Sequence, residues 1–108
     1  MELSQYTKIE SQDIVTIPED IGIRFSKQLI KNLEPSRDMI LFDMSSIKNL
    51  NAKGLGKLLR MHRSITQSGK QLKMMNVAPR VMVFLELTQA HKIFEFIWDQ
   101  HQNSEFAA

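Results

Sequence analysis

The run Met39-Ile40-Leu41-Phe42-Asp43-Met44 constrains the fold more than any other stretch of the chain. Its apolar residues do not alternate with polar ones. A strand with one wet face would show that alternation, so this one is predicted to be covered on both faces. It therefore belongs at the centre of a sheet. Sheets buried on both sides are mostly parallel, because parallel strands need crossover helices that lie on the sheet and cover it.

The surrounding sequence supplies those helices and further strands. Residues 6–11 and 13–18 read as two short strands forming an edge hairpin. Pro18-Glu19-Asp20 places acids where a helix dipole favours them. A helix is expected over 20–33, with Ile21, Phe25, Leu29 and Leu33 inward and Arg24, Lys27 and Lys31 outward. The segment 34–38 breaks it. A strand is expected over 71–77 and a helix from Pro79, well suited to a first helical position, to about Leu87. Val81, Phe84, Leu85 and Thr88 would face in, and Met82 and Val83 out. Residues 92–98 form a last strand or mixed element. The predicted order is β-β-α-β-α-β-α-β: one α/β domain over 1–101 with a mixed, largely parallel sheet, and a frayed tail over 102–108.

Between the second and third strands of the parallel set lies Leu50-Asn51-Ala52-Lys53-Gly54-Leu55-Gly56-Lys57. Asn51 is the expected N-cap of a helix over 52–68 that stops at Gly69. Leu55, Leu58, Leu59, His62, Ile65 and Thr66 share its expected apolar face, and Lys53, Lys57, Arg60 and Ser64 the opposite one. Lys53 is misplaced by local physics. A cation in the first turn of a helix opposes the dipole at a cost of about 0.3–1 kcal/mol.

Charge is segregated on a larger scale as well. The net charge is only +2. Yet residues 44–85 hold Lys48, Lys53, Lys57, Arg60, Arg63, Lys70, Lys73 and Arg80 with no acid among them. Ordinary solvated helices mix signs, because opposite charges four residues apart stabilise them. A single-sign stretch suits an oppositely charged partner.

Asp43-Met44-Ser45, then Gly54-Leu55-Gly56, then Gly69 and a Pro79-initiated helix occur at a joint spacing that resembles the STAS domains of bacterial anti-sigma factor antagonists. The resemblance spans about 13–97 and is strongest from 40 to 96. It implies a STAS-like fold and a non-enzymatic, partner-switching role in transcription regulation. The implied partner is an anti-sigma factor or a serine kinase with an ATP-binding domain. A family Asp-Ser-Ser maps onto Asn51-Ala52-Lys53, so the usual phospho-acceptor serine is replaced by Lys53, which cannot accept a phosphate there. Pro18-Glu19-Asp20 keeps the acids of a family loop without its glycine, and Thr88-Gln89 lacks a turn glycine.

Phosphorylation would place about −1.5 to −2 charges at that helix start. Lys53 is the opposite substitution, a permanent cation. The expected contact surface is the start of the helix, its basic outer stripe and the nearby loops 18–21 and 45–51, with Glu19, Asp20, Ser46, Asn51, Ala52, Lys53, Gly54, Lys57 and Arg60 as its named residues. An alternative within the same fold is a subunit docking on a transporter ATPase of the lipid-transport type. Another, from a different class, is a small-anion or nucleotide site on the backbone N–H groups of Gly54-Leu55-Gly56. The lysine precedes these glycines rather than following them as in a P-loop, and the third glycine of a dinucleotide fingerprint is replaced by Leu59.

No catalytic constellation, metal site or cofactor is expected. The chain has no cysteine, and His62, His91 and His101 show no ligand spacing. His62 reads as a partly buried, hydrogen-bonded histidine. Ser45 and Ser46 read as turn formers. Basic residues without interleaved aromatics argue against nucleic acid. No apolar run suggests membrane insertion, the polar N-terminal residues do not resemble a signal peptide, and a bacterial cytoplasmic location is expected. Outward Met82 and Val83 would suit a partner or a homodimer contact.

Overall fold

A computed structural model describes residues 6–9, 12–31 and 38–98. The elements run β1 (Tyr6–Ile9), β2 (Gln12–Thr16), α1 (Ile23–Lys31), β3 (Met39–Asp43), α2 (Ala52–Gln67), β4 (Gln71–Met75), α3 (Pro79–Leu87), a 3-10 turn (Ala90–Lys92) and β5 (Glu95–Ile97). The predicted order of elements is present. The sheet order is β1-β2-β3-β4-β5, with β1 antiparallel to β2 and the other neighbours parallel. Every crossover steps to the next strand in the same direction. Right-handed connections then bring all three helices to one face.

β3 is the central strand, and Ile40, Leu41 and Phe42 are all buried. Parallel register lines up Val15, Phe42, Met74 and Phe96 across four strands. This row meets Leu29 of α1, Leu58, Met61 and Ile65 of α2, and Val81 and Leu85 of α3 in one apolar core. On the opposite sheet face, Ile14, Leu41, Lys73 and Glu95 form a neighbouring row. Leu41 is buried but lies outside the helix-side cluster.

Several sequence expectations need correction. α1 begins at Ile23, so Ile21 enters the core from the preceding loop rather than from a helix. That later start also leaves Gly22 in the loop, which therefore does contain a glycine. On α2, Met61 is buried, Leu59 and His62 are half-buried, and Thr66 is exposed. The Thr66 hydroxyl donates to the His62 carbonyl at 2.9 Å. Thr88, also expected inside, is exposed and donates to the Phe84 carbonyl at 2.9 Å. Each hydroxyl is satisfied on its own helix and needs no core partner. Met82 packs partly against the core instead of facing out, whereas Val83 is exposed.

The punctuation of the chain largely follows its residues. Gly69 has φ +90°, the left-handed conformation that ends α2. Pro79 opens α3. In the turn after α3, Gln89 takes φ +65° where a glycine would be the easy choice. Leu33, the break over 34–37, His101 and the tail over 102–108 lie outside the described residues.

Candidate partner-binding site

The site forms where β3 leaves the sheet and α2 begins. Asp43 ends β3, and its Oδ1 accepts from the Ser45 main-chain N–H at 3.1 Å and from Asn76 Nδ2 at 3.0 Å. The first bond shapes the turn and the second ties it to the end of β4. Met44 and Ile47 are buried, so the loop is anchored by its own apolar side chains. Arg80 of α3 donates to Asn49 Oδ1 at 3.1 Å. The chain that delivers α2 is thus held from two sides.

Asn51 then caps the helix, as expected. It has an extended backbone, and its Oδ1 accepts from the Gly54 N–H at 2.8 Å. This satisfies one of the free donors of the first turn. A Cβ on Gly54 would lie 3.0 Å from Leu50 Cδ1 and 3.4 Å from Asn51 Oδ1. The glycine makes room for the capping loop. A Cβ on Gly56 would meet nothing within 4 Å. Neither glycine is required by packing of the helix on the sheet.

Lys53 is exposed, and no described residue gives its ammonium a hydrogen bond or an ion pair. α2 has no acid in its first turn. Negative charge comes from another segment: Glu19 and Asp20, between β2 and α1, line a cleft of about 130 Å³ with Asn51, Lys53, Gly54 and Lys57. Six of the nine expected contact residues therefore converge there. Ala52, Ser46 and Arg60 are exposed nearby in the chain but do not line the cleft. The cleft also includes Ile21, Asn49 and Leu50, which lie in the loops 18–21 and 45–51 expected beside the helix start but were not singled out as contact residues.

The cleft is mixed in charge rather than wholly basic. Lys57 also departs from its expected place on the outer stripe. It is half-buried, and its Nζ donates to the Ile21 carbonyl at 2.6 Å. It braces the two walls of the cleft, while Lys53 stands exposed at the helix tip with no partner among the described residues.

No group of three or more potential metal ligands occurs among the described residues. His62 lies farther along α2, edge-on to the Phe94 ring at a centroid separation of 5.3 Å. Burial holds its imidazole below the ordinary histidine pKa, and the Glu95 charge partly offsets that effect.

A family model described as STAS domain matches residues 10–104. The chain belongs to the STAS family. No curated protein sequence matches it. Among solved structures, TM1081 of Thermotoga maritima, described as a putative anti-sigma factor antagonist, superposes with a TM-score of 0.77 at 17% identity, covering 97% of this chain and 88% of that one. A chain of the stressosome, described as a signal integration and transduction hub, gives 0.74 at 17%, covering 93% and 92%. A variant of RsbS from Moorella thermoacetica gives 0.75 at 15%, covering 94% and 93%. At such identities these likenesses establish the STAS fold. No described helix is long and apolar enough to cross a membrane.

Proposed function

We propose that this STAS domain is a protein-interaction regulator of the partner-switching kind, resembling an anti-sigma factor antagonist. Its partner is an anti-sigma factor or a serine kinase with an ATP-binding domain. The start of α2 and the facing β2–α1 loop form the contact, and the domain performs no bond-making chemistry. One observation carries the reading: the Lys53 ammonium stands exposed, with no partner among the described residues, in the first turn of α2, where resemblance to the family places the phospho-acceptor serine. Likeness to a protein described as a putative anti-sigma factor antagonist and to a stressosome component supports the choice of role.

The physical consequence is a contact that does not switch at this position. A phosphoserine would repel an acidic partner surface, while a lysine attracts it at all times. Glu19 and Asp20 across the cleft set the register by rejecting a partner's acids there.

The test is affinity capture from a native bacterial lysate with the wild-type chain, Lys53→Arg, Lys53→Glu and Lys53→Ser. The captured regulator should be retained by Lys53→Arg and bind at least about tenfold more weakly to Lys53→Glu, about 1.4 kcal/mol. Lys53→Ser should gain a phosphate from the recovered kinase and ATP. Unchanged affinity across all four proteins would refute the role given to Lys53.

A further inference from the structure

The two helices beside the cleft share an unusual surface. Arg24, Lys27 and Lys31 of α1 are exposed, as are Lys53, Arg60 and Arg63 of α2. Neither helix contains an acid. At 3.6 residues per turn, the α1 cations fall within an arc of about 60° and those of α2 within about 80°. Both arcs point away from the buried faces marked by Leu29, Leu58 and Ile65. The Lys57–Ile21 contact ties α2 to the loop that leads into α1 and holds the two helices side by side. Like charges three and four residues apart destabilise a helix by themselves. An anionic partner would relieve that repulsion.

A second observation lies within the same arc. Gly56 sits between Lys53 and Arg60 on the outward face, and a Cβ there would meet nothing in the chain. Internal packing does not require this glycine, and helix propensity opposes it. Its position leaves a gap one side chain wide in a row of cations, where a polypeptide backbone can approach closely.

We propose that the outer face of the α1–α2 layer is a docking surface for an acidic polypeptide segment, which crosses Gly56 and presents its carboxylates to both cation rows. This rests on the proposed function and deepens it: the contact extends from the helix tip along the layer to α1. Charge complementarity selects an acidic occupant. The narrow glycine gap fits a peptide main chain better than a nucleic-acid duplex, and among the described side chains the cation arcs offer no exposed apolar group to enter a lipid headgroup layer.

The test is an NMR titration of the ¹⁵N-labelled full chain with a synthetic glutamate-rich peptide. A DNA duplex and phosphatidylserine vesicles are run beside it. Peptide-induced shifts should cover α1 and the outward residues of α2. Gly56→Gln should weaken peptide binding at least about tenfold, 1.4 kcal/mol, while raising the unfolding midpoint, so lost binding cannot be lost folding. The Arg24→Glu, Lys27→Glu, Lys31→Glu triple variant should weaken it similarly. Absence of peptide binding, or tighter binding to the duplex or the vesicles, overturns the proposal. If Lys53→Glu weakens the peptide but the Gly56 and α1 variants do not, the extended surface is wrong and the helix-tip site survives. If the α1 variants weaken it and Lys53→Glu does not, the role of Lys53 fails instead.

Discussion

The Lys57 ammonium donates to the main-chain carbonyl of Ile21 across 2.6 Å. This single bond joins the second crossover helix to the loop before the first, and it spaces Glu19 and Asp20 from the tip of α2. Lys57→Met keeps most of the aliphatic stem and deletes the donor. It should lower stability by about 1.5 kcal/mol, the low end for hydrogen bonds to charged groups, measured by urea unfolding. The amide shifts of residues 19–22 should move with it.

Phe42 is fully buried in the middle strand and has Val15 and Met74 as register neighbours. Phe42→Ala should cost about 3–5 kcal/mol from lost transfer energy and the cavity left behind. Denaturant unfolding followed by fluorescence checks this. The single tryptophan, Trp98, stacks on Phe96 next to the same row and reports on it.

Asn51 caps α2 through Gly54. Asn51→Ala should cost about 1 kcal/mol, while Asn51→Ser should retain most of the stability. Thermal unfolding of the two variants separates them. The alanine variant should also increase amide exchange at residues 52–54, at the edge of the proposed contact.

His62 should make stability depend on pH. Its folded-state pKa lies below the ordinary value because burial disfavours the imidazolium. The unfolded chain therefore binds the proton more readily, and stability falls as the pH drops below about 6.5 through the lower folded value. His62→Gln should flatten that part of the curve. Equilibrium unfolding of both proteins between neutral and mildly acidic pH measures the difference.

Much of this fold was legible because its signals are local. The unbroken apolar run of β3, the Asn51 cap, the Gly69 stop and the Pro79 start each follow from a residue's own chemistry. The errors share a different cause. Met61 is buried because α1 packs beside α2 and closes a flank that helical periodicity assigns to the border. Ile47, Val77, Ala90 and Phe94 enter the core from loops and turns, where no periodicity announces them. Thr66 and Thr88 fit an inward arc but bond to their own helices and stay wet.

The site was legible in its residues and hidden in its geometry. Lys53 reads as anomalous from the helix dipole alone, and Glu19 and Asp20 were expected near it. That Lys57 turns to brace the loop depends on where Ile21 lies, and no local rule places a carbonyl from the preceding crossover. The mixed charge of the cleft follows from the same long-range arrangement.

The order of strands across the sheet repeats their order along the chain. Each new strand is added to the free border of its immediate predecessor and never has to be threaded between two older ones. On a ribosome, every segment would emerge to find its neighbour already synthesised, so assembly can keep pace with translation. β5, the last described strand and only three residues long, pairs with β4, and until it arrives the unpaired margin of β4 is open to mispairing.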